Sequence, residues 1–111
     1  MEGLLPGGVT QQQIEAWKLK HGADKVKAFD IPVNDEGTEI ATGYFRKPDL
    51  QVIAISSKFI ENDPIKAGLV LFENCWLGGD ERITKDDELK MSAIESLNTM
   101  FRVRTATIKN L

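Results

Sequence analysis

The sequence predicts an α+β fold in which helices pack on one face of a small sheet. Apolar and polar residues alternate over residues 25–45, and apolar residues recur at helical spacing on both sides of that region. The chain has 111 residues, of which 41% are hydrophobic and 28% are charged, a composition typical of one folded domain. We expect a flexible N-terminal segment over residues 1–8, which contains three glycines and a proline, and a single domain over residues 9–111.

The first predicted element is a helix over residues 11–21. Thr10 and Gln13 have the spacing of a capping box, in which each side chain accepts a hydrogen bond from the backbone of the other residue. Gly22 follows the last helical residue and suits the positive φ at which many helices end. The start and the end of this helix are therefore both specified locally.

A β-hairpin is predicted next. Apolar residues alternate over residues 25–33, with a change of phase near Ala28 that a bulge would explain. Residues 34–37 have turn chemistry, and the alternation resumes over residues 40–45. Because Pro32 has no amide proton to donate, we expect the first strand to lie at an edge of the sheet.

Three helices are predicted after the hairpin. The first covers residues 48–60, and its apolar residues lie on more than one face, which places it at the centre of the core. The second begins at Pro64 and stops at Gly78 and Gly79, and Thr84 caps the third. Residues 102–111 are rich in β-branched side chains, which leaves helix and strand both open, and we expect the helix to continue.

The residue chemistry argues against an enzyme. His21 is the only histidine and Cys75 the only cysteine, so the sequence offers neither an internal disulfide nor a metal cluster. His21 ends a predicted helix, and Cys75 lies in an apolar segment where a thiol is inert. Acidic residues at helix starts are explained as caps. We expect no catalytic residues, no bound metal and no cofactor.

Charge and hydropathy narrow the partners. The chain has 14 basic and 17 acidic residues, a net charge of −3, so it has no general attraction for nucleic acid. Tyr44, Phe45, Arg46 and Lys47 could stack bases and bind phosphate, but a strand end before a helix cap explains the same residues, and nucleic-acid binding is the less favoured interpretation. The sequence contains no apolar run long enough to span a membrane, and we expect a cytoplasmic protein.

Two stretches of the chain carry a family resemblance. Residues 43–49 (GYFRKPD) and 72–83 (FENCWLGGDERI), within an order of elements that extends from about residue 14 to the C-terminus, resemble small phage and prophage tail proteins described as tail assembly chaperone-like. The resemblance implies a non-enzymatic role in the host cytoplasm. Such chaperones hold a tail component, often the tape-measure protein, soluble until tail-tube subunits assemble around it.

We therefore expect a protein that binds a protein partner through apolar helix surfaces and that forms a homo-oligomer. The alternative is an unrelated adaptor or regulatory module. The sequence does not identify the partner, the oligomeric state or the binding surface. The candidate partner-binding residues are aromatic, apolar or basic, as is typical of interfaces: Tyr44, Arg46, Lys47, Trp76, Leu77, Arg102 and Arg104.

Overall fold

A three-stranded antiparallel sheet organises the chain. The computed structural model describes residues 3–101 and 105–111. Short 3₁₀ turns at Pro6–Gly8 and Ala23–Lys25 flank the first helix. The regular elements, in chain order, are α1 Gln11–His21, β1 Val26–Pro32, β2 Ile40–Arg46, α2 Leu50–Ser57, α3 Pro64–Cys75, β3 Trp76–Gly79, α4 Arg82–Lys85 and α5 Asp87–Met100. The predicted α+β class is confirmed, with the predicted order of a helix, a hairpin and a helical region.

The strand order is β1-β2-β3, and β1 pairs with β2 without interruption from Val26 opposite Arg46 to Pro32 opposite Ile40. The bulge predicted in β1 is therefore wrong. Its apparent change of phase arises because Val26 and Ile31 are both buried but point to opposite faces of the sheet.

The predicted edge position of β1 is confirmed. The Val33 amide donates to the Glu39 carbonyl at 2.9 Å, and the Lys47 amide donates to the Lys25 carbonyl at 2.7 Å. Odd-numbered residues of β1 therefore bond to β2, and Pro32 directs its nitrogen to the open side. Proline costs this strand no ladder hydrogen bond.

The core lies between the sheet and the pair α3 and α5. Phe45 of β2, Cys75 of α3 and Leu97 of α5 are fully buried there. An aromatic cluster fills the sheet side, with centroid separations of 4.4 Å for Phe29 and Phe45, 5.3 Å for Phe45 and Trp76, and 5.6 Å for Phe72 and Trp76.

The opposite face of the sheet is covered by α1 and by the N-terminal segment. The Leu5 amide donates to the Val9 carbonyl at 2.8 Å, and the Tyr44 hydroxyl donates to the Pro6 carbonyl at 2.8 Å. A Cβ at Gly7 would lie 2.5 Å from the Thr42 carbonyl oxygen, so only glycine allows this approach. Residues 5–8 thus pack on the sheet, in contrast to the lead-in segment expected from their composition.

The first helix agrees with the sequence in its bounds and its cap. The Gln13 amide donates to the Thr10 hydroxyl at 3.2 Å, and the Thr10 amide donates to the Gln13 side chain at 2.8 Å. These two bonds form the expected capping box.

The second helix is shorter than predicted and does not lie at the centre of the core. Only Val52 and Ser56 of α2 are buried, whereas 72% of the Leu50 surface is exposed. The helix packs on α3 by one face and Ile53 packs against the core, whereas Leu50, Ala54 and Ile55 are exposed. The prediction failed because apolar residues on several faces occur both in a fully buried helix and in a helix that is covered on one side only.

The third helix ends at Cys75, and the residues after it form a strand that the sequence analysis missed. Trp76 and the residues that follow it pair with β2, whose second edge would otherwise be open. A Cβ at Gly79 would lie 2.6 Å from the Thr42 carbonyl oxygen, so glycine is needed here for strand pairing and not as a helix terminator.

The final helix begins later than expected. Thr84 lies inside the short α4, and the α5 cap is Asp86, whose carboxylate accepts the Glu88 and Leu89 amides at 2.9 and 3.1 Å. Leu89, Ala93 and Leu97 recur at helical spacing and are buried, so they form the packed face of α5.

The chain continues beyond α5 without regular structure where it is described. Residues 105–111 form neither helix nor strand and are all exposed, so the predicted continuation of the helix is wrong for them. Threonine and isoleucine in this segment favour extended backbone over helix, and no packing contact overrides that preference. The rest of the prediction falls on residues 102–104, which lie outside the described residues.

None of the described helices is both long and apolar enough to cross a bilayer. The longest of them, α5, has 14 residues and an amphipathic pattern.

Candidate functional site

An apolar groove runs along the outer side of the helical layer. It has a volume of about 400 Å³ and lies between the turn after α2, the first half of α3 and the middle of α5. We call it the apolar groove, and its lining residues are Ser56, Ile60, Pro64, Ile65, Ala67, Gly68, Leu71, Met91, Ile94 and Asn98.

Small residues set the depth of the apolar groove. A Cβ at Gly68 would lie 2.8 Å from Cγ2 of Ile94, which shows how closely α3 approaches α5 at this point. Ala67 is buried beside it, and its carbonyl accepts the Ser56 hydroxyl at 2.8 Å. The floor is therefore closely packed and its polar groups are satisfied.

Large apolar side chains remain exposed along the walls. The exposed fractions are 56% for Ile60, 59% for Ile65 and 46% for Met91. Asp63 accepts the Lys66 amide at 3.1 Å and caps α3, which fixes Ile65 in the first helical turn. Exposed apolar residues that line one groove, in place of being scattered, are typical of interaction sites.

The rim of the apolar groove on α5 is acidic. A shallow depression that shares Met91, Ile94 and Asn98 with the groove is also lined by Glu88 and Glu95. We call Glu88 and Glu95 the acidic rim. Both are exposed, and within residues 3–101 and 105–111 neither carboxylate forms an ion pair. The lining of the groove and of the depression contains no lysine or arginine.

The two aromatic residues among the predicted partner-binding residues, Tyr44 and Trp76, pack against other side chains of the chain. Tyr44 is buried, contacts Trp17 with ring centroids 5.7 Å apart, and donates its hydroxyl proton to Pro6. Burial, and next the charge of Asp30, raises the pKa of Tyr44. Trp76 is half-buried against Phe72. Tyr44 and the fully buried Phe45 are not available to stack on nucleic-acid bases.

The remaining predicted residues divide in two groups. Arg46 is an internal tie, because its Nε donates to the Asn74 carbonyl at 2.8 Å and its Nη1 lies 3.3 Å from the Asp49 carboxylate. Lys47 and Leu77 are half-buried beside it, in the strand region. Arg102 and Arg104 lie outside the described residues. The structure thus brings Tyr44, Arg46, Lys47, Trp76 and Leu77 together around β2 and β3, away from the lining of the apolar groove.

The Cys75 thiol is buried and the His21 imidazole is half-buried. Burial raises the pKa of the Cys75 thiol to about 11, so the neutral form is retained at neutral pH. Partial burial, followed by the charges of Arg46 and Lys20, lowers the pKa of His21. Among the described residues no hydrogen bond joins the imidazole to the thiol or to a hydroxyl group.

The acidic residues near α4 have structural partners. The Arg82 guanidinium lies 2.7 Å from Asp80 and 2.6 Å from Glu39, and its hydrogen bonds lower the pKa of Asp80. Asp86 caps α5. In the part of the chain that the structure describes, no group of three or more His, Cys, Asp or Glu residues is arranged to hold a metal ion.

The residues of the apolar groove were missed by the sequence analysis. The sequence contained no signal for Ile65, because it lies at helical spacing from Leu69 and Phe72, and only the structure shows that it falls off the buried face of α3. A sequence does not show whether an apolar residue on a helix is covered by another element. In this structure α2 does not cover Ile65, which is 59% exposed.

The chain matches no protein-family model, no curated protein and no solved structure.

Proposed function

We propose that this protein is a non-enzymatic binding protein of the cytoplasm whose apolar groove holds an apolar segment of another protein. The observation that carries the proposal is the joint exposure of Ile60, Ile65 and Met91 around one groove with a closely packed floor. Covering what remains exposed of each side chain is worth about 1 kcal/mol. Three such anchors supply the apolar centre that a specific interface needs.

The narrower form of the proposal is a phage or prophage tail assembly factor. It is supported by the resemblance of residues 43–49 and 72–83 to tail assembly chaperone-like proteins. These stretches are adjacent in the fold, since Tyr44 pairs with Gly78 and Arg46 bonds to Asn74. In this proposal they form the unit that fixes the orientation of α3, and the groove on α3 holds the tail component soluble.

The test is coexpression of the full chain with a phage tape-measure protein and a tail-tube protein. The variant Ile65→Asp places a carboxylate in the groove wall, and aspartate is well tolerated in the first turn of a helix. Leu19→Asp makes the same kind of change at a leucine that is 91% exposed on α1, outside the groove. We expect the wild-type chain and Leu19→Asp to retain the tail component and Ile65→Asp to lose it.

Two results would change the proposal. Equal retention of the tail component by Ile65→Asp and the wild-type chain would exclude the apolar groove as the binding site. Retention of no tail component, together with groove-dependent binding of a purified protein of another kind, would favour the adaptor over the tail assembly factor.

A further inference from the structure

We propose that the apolar groove receives residues 105–111 of a second copy of this chain, so that two copies exchange C-terminal arms. We call residues 105–111 the C-terminal arm. This inference rests on the proposed function, because it requires the groove to be a binding site, and in the dimer the arm occupies the groove until the tail component displaces it. It names the occupant as an extended apolar segment with one lysine, Lys109, and identifies this chain as its source.

The arm is an unsatisfied apolar segment. Ile108 is 94% exposed, and Leu111, three residues later, is fully exposed. Thr105, Thr107 and Ile108 are β-branched and favour extended backbone, which presents side chains to a groove at low cost in conformational entropy. The chain therefore displays both an open apolar groove and an uncovered apolar segment.

The charges of the two features are complementary. The C-terminal arm includes one cation, Lys109, and no Asp or Glu in the sequence. The acidic rim of Glu88 and Glu95 lies beside the groove with no cation in its lining. A basic apolar segment fits this surface better than an acidic one, because opposite charges favour docking and correct register.

The length of the arm suits the groove. Seven extended residues span roughly 23 Å at the rise of a β-strand. The part of α3 that lines the groove extends from Pro64 to Leu71, and at 1.5 Å per residue its length is about 12 Å. One arm is therefore long enough to follow the whole wall.

Within one chain, the C-terminal arm does not occupy the apolar groove. Every residue of the arm is exposed in the structure, so its own groove does not cover it. An exchange between two copies places two arms in two grooves by the same contact, which is the arrangement that closes a symmetric dimer. A second copy therefore satisfies both exposed surfaces at once.

The first test is the oligomeric state of the full chain, measured by sedimentation velocity across a range of concentration. The arm variant is Ile108→Asp with Leu111→Asp, the groove variant is Ile65→Asp, and the matched control is Leu19→Asp. We expect a dimer for the wild-type chain and the control, and monomers for the arm and groove variants. A wild-type monomer, or an arm variant that remains dimeric, overturns the inference.

Mixing the variants tests which surfaces meet. The arm variant keeps an intact groove, and the groove variant keeps an intact arm, so their equimolar mixture regains one arm in one groove. We expect a heterodimer, detected by a fluorescent label on one variant. Failure of the mixture to associate, when the wild-type chain does, would show that arm and groove do not bind each other.

The third test addresses charge. Glu88→Lys with Glu95→Lys should raise the dimer dissociation constant about tenfold or more. Glu15→Lys with Glu36→Lys makes the same change in net charge at exposed residues outside the groove and should leave the constant unchanged. Equal effects of the two pairs would exclude a role for the acidic rim.

The two proposals fail in different ways. If the wild-type chain is monomeric and Ile65→Asp still abolishes binding of the tail component, the arm exchange is wrong and the binding groove stands. If Ile65→Asp leaves both the oligomeric state and binding of the tail component unchanged, both are wrong.

Discussion

The two ends of α3 use apolar residues in opposite ways. At the C-terminal end, Phe72 and Cys75 are buried against the sheet, and the chain passes directly into β3. At the N-terminal end, Ile65 is 59% exposed beside an open groove. One helix thus joins a closely packed region to an uncovered one. Residues of the same chain cover the C-terminal end, whereas part of the N-terminal end remains exposed to solvent.

The difference arises from what each end packs on. The sheet presents aromatic rings to the C-terminal end, and Arg46 of β2 bonds to the Asn74 carbonyl. The N-terminal end packs on α2, and Gly68 lies close to Ile94 of α5. We infer that the first end maintains the fold and that the second is free to bind.

The largest effect is expected for Phe72→Ala. Phe72 is 5% exposed and packs on Trp76 and Phe45, so its removal leaves a cavity in the core. The free energy of unfolding should fall by about 3 to 5 kcal/mol. Urea unfolding followed by tryptophan fluorescence measures the change, and a loss below about 1 kcal/mol would show that this end of α3 is not the packed one.

Gly68→Val tests the boundary between the two ends. The added side chain meets Ile94, and the free energy of unfolding should fall by about 1 to 3 kcal/mol. Ile94→Ala in the same chain makes room, so the double variant should lose less than the sum of the single changes. Additive losses in thermal or urea unfolding would mean that the two residues do not limit the approach of α3 to α5.

Asp49→Asn tests the ion pair between Asp49 and Arg46, next to the packed end of α3. The Val52 amide, and next the Arg46 guanidinium, lowers the pKa of the Asp49 carboxyl. The stabilisation by the charged form is therefore present above the unfolded pKa of about 3.9 and is lost as the pH falls through the lower pKa of the folded state.

Asparagine keeps the helix cap of Asp49 but removes its charge, so we expect Asp49→Asn to lose a few tenths to about 1 kcal/mol at neutral pH. The gap between the urea midpoints of the variant and the wild-type chain should narrow as the pH falls below the unfolded pKa of about 3.9 and through the lower pKa of the folded carboxyl. A gap that does not change with pH would show that the charge of Asp49 does not contribute.

The smallest effect on stability is expected for Ile65→Asp. Because the isoleucine is exposed and aspartate suits the first helical turn, the free energy of unfolding should change by less than about 0.5 kcal/mol. The melting temperature measures this directly. A large loss would place Ile65 in the core and remove the distinction between the two ends.

Local signals predicted much of the fold. The capping box of Thr10 and Gln13, and the cap of Asp63 followed by Pro64, specify helix starts through bonds within a few residues. Pro32 correctly indicated an edge strand. The error at Trp76 has a different origin: its helical spacing from Phe72 is real, but pairing with β2 outweighs the helical preference of residues 76–79.

The candidate site was less predictable than the fold. Aromatic and basic residues suggested Tyr44, Arg46 and Trp76, yet these side chains hold β2, β3 and α3 together. The apolar groove depends on which faces remain uncovered, and that follows from the relative positions of α2, α3 and α5.

By itself, the sequence of this protein determined the α+β class, the first helix, the hairpin and the restart at Pro64, because short-range hydrogen bonds and alternation of apolar residues specify them. The tertiary structure alone decided that Trp76–Gly79 form a strand, that residues 5–8 pack on the sheet and that Ile65 stays exposed. These outcomes depend on contacts between residues far apart in the chain, and no local pattern encodes which surfaces such contacts leave open.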